Sequence, residues 1–138
     1  GFALKEKLKA LLKDKGYPVR DFGTNSEDSM DYPDVIHPLA EGLKETPQAL
    51  GVIVCGSGNG VNMTANKYPH IRSAMAWQPE LARLAREHNN ANVLALSARF
   101  IEESTAEEIV QAFLEAEFEG GRHERRVNKI APDEVQQA

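Results

Sequence analysis

The only thiol in the chain, Cys55, closes the apolar run Val52 to Val54 and is followed at once by Gly56, Gly58 and Gly60, within "GVIVCGSGNGVNMTANK". Glycines at this spacing let backbone N–H groups turn toward a ligand, and a helix starting there favours negative charge at its first turn. Both effects would also stabilise a thiolate. Most lone cysteines, however, are small buried hydrophobes, and Cys55 fits that role equally by position. The glycines do not form a dinucleotide fingerprint, because G-x-G-x-x-G requires a glycine where Val61 stands.

Three further places carry chemistry. His88 ends an apparent helix in "HNNANVLALSAR", where a histidine can act as an acid or base or simply cap the helix dipole. Its neighbours Asn89, Asn90 and Asn92 can offer amides to a ligand or serve as turn residues. Arg99 follows the next apolar run, which puts it on the edge of an α/β sheet where ligands gather, although an exposed arginine needs no ligand. Arg122 and Arg126 are four apart, so on a helix they share one face and can grip a phosphate together; a solvated basic face has the same pattern.

The elements that must position these residues follow from periodicity. Phe2, Leu4, Leu8, Leu11 and Leu12 predict an amphipathic helix over 2–15, stopped by Gly16. Val19 and Phe22 predict a short strand, "GTNSEDSMDYPD" a loop, and 34–45 a helix that tolerates Pro38 near its start. From Gly51 the pattern alternates: strand 51–55, helix 60–67, strand 71–76, helix 79–88, strand 92–97, helix 104–117. Ser104 and Glu107 have the spacing of a capping box. "EGG" at 119–121 ends that helix, and a basic helical segment starts near Arg122. Strands alternating with helices predict a Rossmann-like α/β sandwich in three layers around a mainly parallel sheet.

The totals agree with one domain over 1–138. Hydrophobic residues are 41% and charged residues 27%, and a net charge of -5 argues against nucleic acid as the main partner. One cysteine cannot make an internal disulfide and no apolar run reaches membrane length, so a reducing cytoplasm is expected.

In order along the chain, "DYPD", "CGSGNG", "ANK", "AREHNNANVLAL", "AR" and "EFEGGRHERRV" resemble the ribose-5-phosphate isomerase B family, which includes galactose 6-phosphate and allose 6-phosphate isomerases. The resemblance runs to about residue 130. It implies aldose-ketose isomerisation of a sugar phosphate through a cis-enediolate, without metal or organic cofactor. On that resemblance Cys55 is the base, with Ser57 beside it where the commoner version has threonine. The backbone from Gly56 through Gly58 and Asn59 to Gly60 cradles the oxyanion, and His88 opens the sugar ring. Tyr32, Asn89 and Arg99 contact substrate, and Arg122 and Arg126 bind phosphate. The site is expected across the interface of a homodimer or a dimer of dimers, with ribose 5-phosphate the first substrate and a hexose 6-phosphate the second. A sugar-phosphate binding module without turnover, and a nucleotide-binding flavodoxin-like domain, are the competing readings. The family begins with a strand ending in a Ser-Asp-His-Ala type stretch ahead of the position of Gly1, so a first strand of about ten residues is expected to be missing from this chain.

Overall fold

The computed structural model describes residues 1–23 and 30–132. Six helices and three strands follow in order: α1 (Phe2–Asp14), α2 (Pro33–Glu45), β1 (Gly51–Cys55), α3 (Asn59–Ala65), β2 (Ser73–Met75), α4 (Pro79–Asn89), β3 (Val93–Ser97), α5 (Glu103–Glu115) and α6 (Arg122–Val127). The strands form one sheet in the order β1-β3-β2, and both pairings are parallel. Gly51 pairs with Val93 and Cys55 with Ser97, so β1 and β3 end level with one another.

The middle strand explains the layering. All five residues of β3 are buried, as a strand covered on both faces requires. Leu94 and Leu96 point into a core built with Leu8 of α1, Ala82 and Ala85 of α4, and Ile109 and Phe113 of α5. Val93 and Ala95 point the other way, with Ile53, into a core made by Ile36 and Ala40 of α2 and Val61 of α3. Side chains alternate across a strand, so β3 supplies both cores at once. The three-layer α/β sandwich with a parallel sheet is therefore observed.

The end of α1 shows how local chemistry stops a helix. Gly16 takes φ 87, the Tyr17 N–H donates to Leu12 O at 3.0 Å and the Gly16 N–H to Lys13 O at 3.0 Å. These are the two bonds of a Schellman ending, which only a residue at ease in the left-handed region closes cheaply.

Three local expectations are corrected. Residues 17–22 form no strand, because ladder bonds define a strand and this segment has no pairing partner among the described residues. The capping box at Ser104 is absent: α5 begins one residue earlier, Glu102 is its N-cap, and Ser104 lies inside the first turn with no side-chain cap bond. The strand expected over 71–76 is limited to Ser73–Met75. Residues 24–29 of the expected loop lie outside the described residues, as do 133–138. The strand expected ahead of Gly1 also lies outside them. Among them β1 pairs on one edge only, and its other edge lines a cavity of about 960 Å³ bounded by α1, α2 and the 17–23 segment.

That segment is tied down electrostatically. Asp21 receives hydrogen bonds from Lys5 and Lys9 of α1, each at 3.0 Å, and from the Gly23 N–H at 2.9 Å. Burial alone would push its carboxyl up, but the Gly23 N–H and the two ammonium groups outweigh it and hold the pKa at about 2, below 3.8. A group depressed in the folded state stabilises the fold above its unfolded pKa and loses that contribution as pH falls through the folded one. Stability measured by urea denaturation should therefore fall between pH 3.8 and about 2, and Asp21→Asn should flatten that fall; an unchanged slope in the variant would assign the acid sensitivity to other groups.

Candidate active site

The ends of β1 and β3 create the first half of the site. Past the ladder, the Ala98 N–H donates to Cys55 O at 2.8 Å and the Arg99 N–H to Gly56 O at 3.0 Å, which zips the two outgoing loops together. Cys55 is half-buried on the α2 and α3 side of the sheet. The Arg99 side chain lies along the glycine loop, so closely that a Cβ on Gly56 would sit 3.0 Å from Arg99 Nε. A guanidinium thus borders the thiol's loop.

The turn from Gly56 to Gly60 is shaped by its own residues. Gly58 adopts φ 85, and a Cβ there would meet the Leu96 backbone at 3.3 Å, so both conformation and space call for glycine. Ser57 Oγ accepts from the Asn59 N–H at 3.3 Å, and the first helical bond of α3 runs from the Asn62 N–H to Gly58 O at 3.1 Å. The N–H groups of Gly60 and Val61, in the first turn, have no acceptor within the helix. Tyr32, immediately before α2, packs its ring on Gly60, where a Cβ would come within 2.5 Å of Tyr32 Cζ. Cys55, Ser57, Gly56 to Gly60, Tyr32 and Arg99 therefore meet at the carboxyl edge of the sheet.

The remaining candidates lie elsewhere. Helix α4 leaves the carboxyl end of β2 and returns to the amino end of β3; its 11 residues carry the chain about 16 Å back. His88 and Asn89, its last residues, are thus at the opposite edge of the sheet from Cys55. The Glu119 N–H donates to Glu87 O at 3.0 Å and fastens the chain after α5 to this corner, so α6 packs on α4 with Arg122 and Arg126. A single copy of the chain holds the two halves of the expected site apart.

Sequence reasoning missed what surrounds His88. The rings of His88 and His123 are stacked, with centroids 4.2 Å apart and planes 11° from parallel. Glu119 Oε1 lies 3.7 Å from His88 Nε2 and 3.6 Å from His123 Nε2. Desolvation first, then the His88 ring and Arg122, hold His123 below the usual histidine range. His123 stood in the quoted "EFEGGRHERRV", but only the packing of α6 on α4 reveals its partner. Asn92, by contrast, is explained by structure: it accepts from the Arg72 N–H at 2.7 Å and donates to His70 O at 2.9 Å, pinning the start of β3. Asn90 takes φ 49 to end α4, the turn role available to asparagine.

A sequence model of the family described as Ribose/Galactose Isomerase matches residues 1–130. The probable ribose-5-phosphate isomerase B of Mycoplasma genitalium is 45% identical over 132 residues, covering 94% of this chain and 87% of the relative. The solved ribose-5-phosphate isomerase B of Clostridium thermocellum superposes with a TM-score of 0.95 at 43% identity, covering 100% of this chain and 93% of that one. The Mycoplasma genitalium enzyme, solved with bound ribulose-5-phosphate, gives 0.91 at 45% identity over 94% of this chain and 87% of its own.

The glycine loop yields a direct stability test. Gly58→Ala should cost about 1–2 kcal/mol from left-handed strain, before any contact with Leu96 is counted. Thermal unfolding would register it, and an unchanged melting temperature would show that the loop relaxes freely.

Proposed function

From membership in the ribose/galactose isomerase family, to which this chain belongs, we propose that it interconverts ribose 5-phosphate and ribulose 5-phosphate through a cis-enediolate, without a cofactor. The observation that carries the reading is the convergence of Cys55, Arg99, Tyr32 and the glycine turn at the carboxyl edge, in a chain 45% identical to an enzyme solved with ribulose-5-phosphate.

In this reading Cys55, as thiolate, removes the proton from C2 of the open aldose, and the electron pair moves through C1 to leave an enediolate with charge on O1. N–H groups of the Gly56 to Gly60 turn hold that oxygen, an electrostatic contribution of order 10²-fold or more. The O2–H proton passes to O1, the O2 pair forms the C2=O2 bond, and the C1=C2 pair takes the proton back from the thiol at C1, giving the ketose with its O1 hydroxyl. Ser57 borders the base and Tyr32 walls the pocket at Gly60. His88 opens the furanose ring first, with Asn89 beside it, and the face shared by Arg122 and Arg126 takes the phosphate.

The separation of the halves within a protomer supports a homodimer in which Cys55 of one copy works with His88 of the other. Trp77 and Phe100, just beyond the carboxyl ends of β2 and β3, are 58% and 77% exposed, as residues awaiting a partner surface would be. No described helix is long and apolar enough to cross a membrane, and a single thiol suits a reducing cytoplasm as the place of work.

Cys55→Ala should fold normally and lose roughly 10²- to 10⁴-fold in conversion of ribose 5-phosphate, followed by ribulose 5-phosphate formation. Full activity in that variant would remove Cys55 as the base. Mixing inactive Cys55→Ala with inactive His88→Ala after dissociation and reassembly should restore about a quarter of wild-type activity, since half of the dimers would carry one intact site of two. No recovery, with mixed dimers demonstrated by mass spectrometry, would place both residues in sites of a single copy.

A further inference from the structure

The corner at the end of α4 holds more than His88 and Asn89. Glu119 presents one carboxylate oxygen to the Nε2 atoms of both His88 and His123, while the two rings stack. Among the described residues, the charged groups acting on His123 at this corner are Glu119 from the segment after α5 and Arg122 and Arg126 from α6; Glu87, next to His88 on α4, is held by Arg83. His88, Glu119 and His123 place three donor atoms within 4.8 Å of one another, a spacing that also suits a metal ion. An imidazole binds a metal in its own plane, however, and two stacked planes only 11° apart do not converge on one ion. Two guanidinium groups nearby oppose a cation further.

The same geometry suits proton transfer. Glu119 Oε1 lies 3.7 Å from His88 Nε2, an ion-pair distance, so the carboxylate favours a proton on that nitrogen and leaves the lone pair to Nδ1. Resting on the ring-opening role of His88, we propose that Glu119 and His123 are positioning residues for that step: Glu119 fixes the tautomer of His88, and the stacked His123 ring fixes its plane. In the step itself, Nδ1 takes the proton from the anomeric O1–H, and that electron pair forms the C1=O1 bond. The C1–O4 pair leaves to O4, which takes the proton back from the imidazolium. No atom is consumed. Glu119 stabilises the imidazolium while it exists, as a carboxylate behind a catalytic histidine does elsewhere.

Two readouts separate this role from a structural one. Conversion of ribose 5-phosphate passes through ring opening. Exchange of a C1 proton of ribulose 5-phosphate for deuterium in D₂O does not, because the phosphate on O5 leaves this ketose no furanose ring to form. Glu119→Gln should slow conversion about tenfold while exchange stays within about twofold of wild type, and Glu119→Asp should regain part of the loss. Equal losses in both readouts, or no loss of conversion, would overturn the proposal. A wild-type protein that shows neither conversion nor exchange would instead fail the isomerase reading itself, and the proposal with it.

Discussion

The parallel ladder between β1 and β3 is the constraint on which the rest depends. Its pairs run from Gly51 with Val93 to Cys55 with Ser97, so the two strands deliver the thiol and the Arg99 loop to the same edge at the same height. Parallel strands cannot be joined by a hairpin; each return needs a helix running back along the sheet. That requirement sends α4 and His88 to the far edge. The ladder therefore assembles one half of the proposed site and, by the same geometry, keeps the other half away from it.

In the proposed homodimer, a second copy would close the separation without any change in the fold. A two-fold interface presents each surface to its own counterpart, so a carboxyl edge lacking a histidine can meet an α4 corner that supplies one, twice per dimer. The division has a chemical logic as well. Ring opening is acid-base chemistry at O1 and O4, and isomerisation is carbon acid chemistry at C1 and C2. The thiol sits among backbone N–H groups and an arginine; the histidine sits against a carboxylate. On the proposed roles, each group has surroundings suited to its own step.

Much of this was legible in the sequence because local patterns determined it. The heptad-like leucines of α1, the stop at Gly16, the alternation of strand and helix from Gly51 onward, and the glycines after Cys55 each have a physical reason that needs no tertiary context. What escaped depends on partners distant in the chain. Val19 to Phe22 have strand-like residues, but a strand exists only by pairing, and the described chain offers that segment lysines and a cavity wall instead. Ser104 has the right spacing for a cap, yet the helix gained a turn position at Glu103 and left it inside. The stack of His88 on His123 joins two helices separated by a strand and a further helix, and nothing in the spacing of the residues announces it.

The central claim is that the single thiol moves the proton. Because Cys55 is the only cysteine, alkylation with iodoacetamide modifies one known atom, and its extent can be read by intact mass. Isomerase activity should fall in proportion to the fraction alkylated, and ribose 5-phosphate should protect against both losses together. Fully alkylated protein that converts ribose 5-phosphate at the unmodified rate would contradict the account.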